Sequence, residues 1–200
     1  MSDNPLFSII IPSHDGQYRI RTAIESCTKQ SFKDYEIIVV CDSCEDQTEE
    51  IAKEYGCVTL KVKCRRDGLA RNAGIDIAKG KYIMFLDDDD YWLHEYVFQQ
   101  IAMVVNDTNP DLFDYSIIVR GMGYLAASQG SSTQMVAGHV WKRTFIGETR
   151  FNSDEYGSDV CFLKALTIKK PSAVWWDMPM YYYNYMREGS LSDRHRKGEI

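Results

Sequence analysis

Four short apolar runs, separated by stretches with helical periodicity, constrain this chain more than any other feature. Phe7-Ser8-Ile9-Ile10-Ile11 is β-branched and stopped by Pro12, Glu36-Ile37-Ile38-Val39-Val40 is the second run, and Val58–Val62 is a weaker third. The fourth covers residues 81–86. Runs of this length read as buried strands. Between them, Ile20, Ala23, Ile24 and Cys27 share one helical face, and residues 48–55 predict a short helix ended by Gly56. Leu69, Ala73 and Ile77, with Ala70, Gly74 and Ala78, predict a helix over 69–79 with a small-residue face, closed by Gly80. Such alternation implies parallel pairing through right-handed crossovers, hence an α/β sandwich.

The second half is less regular. Leu93, Val97, Ile101 and Val104 fit a helix that ends before Pro110, and residues 113–120 fit a strand. Residues 121–138 are Gly- and Ser-rich and read as a mobile loop. Residues 160–168 read as a buried helix and 173–185 as one or two strands. No repeat or linker divides the chain, so its 200 residues are expected to form one domain, 1–200.

In sheets of this kind ligands bind beyond the carboxyl ends of the strands. Asp15, Asp42 and the block Asp87-Asp88-Asp89-Asp90 all follow such ends. Two carboxylates about 4 Å apart repel by roughly 4 kcal/mol at an effective dielectric near 20. Capping the next helix returns only about 0.5–2 kcal/mol. Converging carboxylates therefore ask for a divalent cation, and oxygen-only ligands point to Mg²⁺ or Mn²⁺. The alternative is a solvated turn with one helix cap and three spectators.

The net charge of −6 argues against a general nucleic-acid surface. No run of about 18 apolar residues predicts a membrane span, and Met1-Ser2-Asp3-Asn4-Pro5 lacks the pattern of a signal peptide. The six cysteines are read as reduced thiols, which gives a cytoplasmic expectation.

Ser8-Ile9-Ile10-Ile11-Pro12-Ser13-His14-Asp15, 25–32, and Tyr35 to Val40 form an ordered series with Gly68-Leu69-Ala70-Arg71-Asn72-Ala73-Gly74 and Ala78 to Tyr82. Phe85-Leu86-Asp87-Asp88-Asp89-Asp90 completes it as a strand-end D-x-D with an extra acidic residue. Over residues 7–192 the chain resembles the inverting GT-A nucleotide-sugar glycosyltransferases of family 2. The resemblance implies a GT-A (Rossmann-like) three-layer sandwich with a mostly parallel central sheet. It also implies a nucleotide-sugar donor, most naturally a UDP-sugar, a hydroxyl acceptor of unknown class, and Mn²⁺ or Mg²⁺.

Residue by residue, it implies that Asp15 and Asp42 face the base and ribose beside the Ile11–Pro12–Ser13 turn. Arg71, with Asn72, lies near the nucleotide or its phosphates, Asp87 holds the ribose or a metal-bound water, and Asp89 ligates the metal. The donor set is then Pro12, Asp15, Asp42, Arg71, Asp87 and Asp88, with Asp89 and His195 as metal residues. Residues 151–159 resemble the stretch that supplies the base, making Asp159 its candidate. The chain departs from the family pattern at Cys41 and Ser158, where carboxylates are common, and in its short length.

Other signals compete. Cys41-x-x-Cys44 fits a redox pair or half a zinc site with Cys57 and Cys64. Gly121-Met122-Gly123-Tyr124-Leu125-Ala126 fits a dinucleotide fingerprint literally, without a clear helix after it. Trp175, Trp176 and Tyr181 to Tyr185 offer sugar-stacking faces or strand core. His14, His94 and His139 carry no assigned role. The alternatives to a transferase are a nucleotidyltransferase acting on a sugar phosphate and a non-catalytic nucleotide-sugar binder. Against the former, no glycine-rich loop bearing Arg or Lys is read after the first strand.

Overall fold

A computed structural model describes residues 4–125, 135–153, 157–185, 187–188 and 191–198, apart from the side chains at 124, 125, 191, 192 and 195. The first half follows the sequence reading closely. It runs β1 (Phe7–Ser13), α1 (Ile20–Thr28), β2 (Tyr35–Asp42), α2 (Thr48–Glu54), β3 (Val58–Val62), α3 (Asp67–Ile77) and β4 (Tyr82–Phe85). These strands pair in the order β3-β2-β1-β4, all parallel.

Side-chain alternation along the strands makes two cores. Ile9, Ile11, Val39, Cys41 and Met84 face one side and meet Ile20, Ala23 and Ile24 of α1 and Ile51 and Ala52 of α2. Ile10, Ile38, Val40, Ile83 and Phe85 face the other and meet Ala70 and Ile75 of α3. Most of these strand residues are wholly buried, and each large one stabilises by roughly 1.5–3 kcal/mol. The small face of α3 has a specific use. A Cβ on Gly74 would stand 2.5 Å from Ile10 Cγ2, so the helix lies directly on β1.

The second half continues the sheet with β5 (Tyr91–Trp92), α4 (Val97–Thr108), β6 (Leu112–Val119), β7 (Gly123–Leu125) and β8 (His139–Lys142). It ends with α5 (Arg143–Ile146), α6 (Ser158–Thr167), β9 (Ala173–Tyr183) and α7 (Leu191–Arg196). The full order is β3-β2-β1-β4-β8-β6-β9-β5, with β7 on β6. The long ladders are parallel and the antiparallel ones are short, giving the mostly parallel α/β sheet expected. Helix α4 joins the first core through Val97, Phe98, Ile101 and Val105, and α6 joins the second through Phe162, Leu163 and Leu166.

Two expectations need correction, and a third signal is settled as it was read. The helix expected from Leu93 starts at Val97, because Trp92 pairs with Tyr181 and the Leu93 N–H donates to the Met180 carbonyl. The loop expected over 121–138 contains β7 and leads into β8, with residues 126–134 outside those described. Gly121 and Gly123 have φ of +76° and +79° and form a strand-to-strand turn, so the dinucleotide-like fingerprint is not the start of a helix. Its last residue, Ala126, lies outside the described residues. Among the described residues no helix is long and apolar enough to cross a membrane.

Candidate active site

The carboxyl ends of β1, β2 and β4 converge on one edge, and the loops there are laced together. The Gly16 N–H donates to Thr48 Oγ1 at 2.8 Å, the Gln17 N–H to Asp46 at 2.9 Å, and the Glu45 N–H to Asp15 at 2.8 Å. Asp15 holds φ +47°, a strained value that this hydrogen bond supports. His14 Nδ1 lies 2.7 Å from the Asp42 carbonyl, which raises its pKa. Asp42 is buried and accepts from the backbone N–H groups of Cys64 and Arg66 at 2.8 and 3.0 Å. Burial works against its ionisation, but the Arg65, Arg66 and Cys64 amides outweigh it and hold its pKa below the usual range. Asp42 thus fixes the 64–66 loop, a structural task that its strand-end position did not reveal. Pro12 is buried inside β1, opposite Val40.

The four consecutive aspartates have four different environments. Asp87 receives Arg71 at 2.6 Å. Asp88 is gripped by Arg19 through two nitrogens at 3.0 and 2.9 Å and by Ser13 Oγ at 2.5 Å. Asp89 receives Arg187 Nε at 2.5 Å. Asp90 is wholly buried and accepts from Tyr181 Oη at 2.6 Å and the Asn184 N–H at 2.7 Å. Burial and neighbouring Asp87 push the Asp90 pKa well up, while burial is the leading cause of the rise at Asp89.

The four carboxylates therefore repel one another less than their adjacency in the sequence suggests. Three arginines and a tyrosine supply counter-charge or hydrogen bonds, so a divalent cation is not required to hold these carboxylates together. Ion binding rests instead on donor chemistry. Among the described residues, no donor reaches the second oxygen of Asp89, and a carboxylate oxygen suits Mg²⁺ or Mn²⁺.

Arg71 is the hub of the site. It is buried, reaches Asp87 from one nitrogen and Asp159 from the other at 3.4 Å, and lies 5.7 Å from the Phe151 ring centroid. Burial disfavours its charge, but Asp159, Asp87 and Asp67 overcome that and raise its pKa. Asn72 anchors the neighbouring loop through both amide atoms, to the Phe151 N–H and carbonyl.

Asp159 sits in the first turn of α6 and also accepts from the Val136 N–H at 3.3 Å. Its pKa is raised, first by burial and then by Asp87, with Arg71, Val136 and His139 acting the other way. Ser158 beside it is buried. The site can therefore place a raised-pKa carboxylate beside an acidic, arginine-lined edge.

The sequence model of glycosyl transferase family 2 matches residues 8–173. The chain belongs to glycosyl transferase family 2. Among its relatives is the Escherichia coli UDP-Glc:alpha-D-GlcNAc-diphosphoundecaprenol beta-1,3-glucosyltransferase WfaP, 37% identical over 115 residues, covering 56% of this chain and 45% of WfaP. The chain spans about half the length, or less, of the first curated relatives it matches. Staphylococcus aureus TarS 1-349 in complex with UDP-GlcNAc superposes with a TM-score of 0.83 at 21% identity, over 94% of this chain and 60% of TarS 1-349. Mycobacterium tuberculosis glucosyl-3-phosphoglycerate synthase, with Mn²⁺, UDP and glucosyl-3-phosphoglycerate, does so at 0.66 and 16%, over 96% and 75%. These two likenesses establish the GT-A fold.

For this family 2 chain, the structure brings Arg71, Asp87 and Asp159 into contact and sets Asp88 and Asp89 beside them. Asp15 and Asp42 lie on the neighbouring loops of the same edge. His195 belongs to α7, and its side chain lies outside those described.

Arg19, Ser13 and Tyr181 carry contacts that sequence reasoning did not assign. Arg19 had a signal. A cation at the start of α1 opposes the helix dipole, so it needs an anion nearby. The turn after β1 does carry a glycine and an arginine, Gly16 and Arg19, but Arg19 is committed to Asp88.

The remaining signals resolve more simply. All six cysteines are free. Cys41, ahead of other influences, brings the Cys44 thiol down to about 7. Trp176 and Tyr181 pack into the core while Trp175 is exposed, so most of the aromatic run is structural.

Proposed function

We propose that this chain is a single donor-binding and catalytic domain that transfers a sugar, with inversion, from a nucleoside diphosphate, most naturally a UDP-sugar, to an acceptor hydroxyl. The observation that carries this reading is the Arg71 bridge. One guanidinium joins Asp87, on the donor side, to Asp159, the only carboxylate contributed by α6. WfaP is named for UDP-Glc, and the TarS and glucosyl-3-phosphoglycerate synthase complexes hold UDP-GlcNAc and UDP, which supports a uridine donor.

Asp89, with Asp87 close by, would hold Mn²⁺ or Mg²⁺, which supplies Lewis-acid stabilisation of a departing diphosphate. The chain's own residues do the rest. Asp15 and the Asp42-braced loop line the place for the base and ribose. Asp159 takes the acceptor proton, and a carboxylate with a raised pKa is better matched to that task near neutral pH. Arg71 keeps Asp159 aimed and compensates its charge before the proton arrives. Direct attack opposite the leaving group needs no covalent intermediate. A nucleotide-sugar donor and free thiols fit a cytoplasmic setting.

Incubation with UDP-, GDP- and TDP-sugars plus Mn²⁺, following nucleoside diphosphate release, tests the reading. Release from one donor class, lost in Asp89→Ala, is expected. Pyrophosphate release from a nucleoside triphosphate and a sugar phosphate would replace this reading with nucleotidyl transfer.

A further inference from the structure

The three arginines on the acidic edge are not equivalent. Arg71 is buried, spans two carboxylates and lies beside the Phe151 ring. Arg19 grips Asp88 through two nitrogens and also donates to the Asp15 and His14 carbonyls. Arg187 touches Asp89 through Nε, and its other described bond goes to the Glu188 carbonyl next to it. Its side chain is 28% exposed, against 6% for Arg71.

The backbone points the same way. Chain direction is fixed at Asn184, whose N–H is held by buried Asp90, and Arg187 follows three residues past that anchor. Asp90 and Asp89 are adjacent, so the anchor and the arginine's partner share one turn. A divalent cation on the other oxygen of Asp89 would stand within a few ångströms of the Arg187 guanidinium, and that like-charge repulsion sets the two in competition for one carboxylate. Among the described residues, the other hydrogen bond Arg187 would keep or break is the one to the Glu188 carbonyl.

Resting on the reading of Asp89 as a cation ligand, we propose that Arg187 is a resident counter-charge that a divalent cation must displace from Asp89. It offsets the charge of Asp89 and releases the carboxylate only to a stronger cation.

The test is direct Mn²⁺ binding to the full chain, without nucleotide, followed by electron paramagnetic resonance, with circular dichroism to verify folding. Arg187→Gln is expected to bind Mn²⁺ about three- to tenfold more tightly than the parent, since a competing charge-assisted bond is gone. Arg187→Lys, which keeps the charge, should stay within about twofold of the parent, and Asp89→Asn should lose the site. If Asp89→Asn loses the site but Arg187→Gln binds no more tightly, displacement is wrong while the metal reading stands. Equal tightening in Arg187→Lys would also overturn it, because charge would not be the agent. If Asp89→Asn binds Mn²⁺ like the parent, the metal reading itself fails and the inference falls with it.

Discussion

Arg71 on α3 donates to Asp87 across 2.6 Å, joining a helix selected by its small-residue face to the first carboxylate beyond β4. The pair is buried on the arginine side and reaches on to Asp159, so one side chain fixes the spacing of two candidate site residues. Its removal is expected to register in stability as well as in turnover.

Arg71→Ala leaves Asp87 and Asp159 without their cation. Breaking a buried pair by removing one partner costs about 3–5 kcal/mol, and partial exposure of the carboxylates places this case near the lower figure. Urea unfolding should show a loss of about 3 kcal/mol, which Arg71→Lys recovers only in part. A change within about 0.5 kcal/mol would mean the bridge is not formed in solution.

Asp89 and Asp90 are neighbours with different partners. Asp90→Ala leaves the buried Tyr181 O–H and the part-buried Asn184 N–H without their acceptor and should lower stability by about 1–3 kcal/mol. Asp89→Ala should change stability less and abolish donor turnover. Thermal melts and nucleoside diphosphate release on both variants check this, and the reverse pattern would exchange their roles.

Gly16 gives a steric test. A Cβ there would overlap Ser13 Oγ and stand 2.5 Å from Asp88 Oδ2, inside the clamp closed by Arg19. Gly16→Ala should weaken nucleotide binding and cost about 1–3 kcal/mol through overpacking. Calorimetric titration with UDP reads the first effect and a urea melt the second.

Two titrations have opposite reporters but the same sign. Asp159 must be ionised to accept a proton, so turnover should fall as pH drops through its raised pKa. Asp159→Asn should lose about 10²–10⁴-fold in rate and this acidic limb with it. Cys44, with a pKa near 7, should be alkylated by iodoacetamide at a rate that rises as pH passes about 7. Peptide mapping checks the modified position, and a flat profile from pH 6 to about 8 would contradict the thiol's assignment.

Much of the fold was legible because the first four strands and their helices carry local periodicity. Ile9 against Ile10, or Val39 against Val40, already sorts into two cores before any contact is known. The second half was harder because β5 and β8 exist only through distant partners, as Trp92 does through Tyr181. Leu93 fits a helical stripe yet is held by Met180, an example of tertiary pairing overriding local pattern. The site shows the same divide. The acidic edge and Asp159 were visible as motifs, but the partners of Asp88, Asp89 and Asp90 were not, because Arg19, Arg187 and Tyr181 lie far away along the chain. Without them, repulsion among the carboxylates was overestimated.

The account depends on a cation-assisted grip of a nucleoside diphosphate at the edge beyond β4. Calorimetric titration of UDP, with Mn²⁺ and with a chelator, tests this most directly when run on the parent chain and on Asp89→Asn. The expected result is UDP binding about tenfold or more tighter with Mn²⁺, a gain of at least 1.4 kcal/mol or so, absent in Asp89→Asn. Equal UDP affinity with Mn²⁺ and with chelator in the parent chain would contradict it.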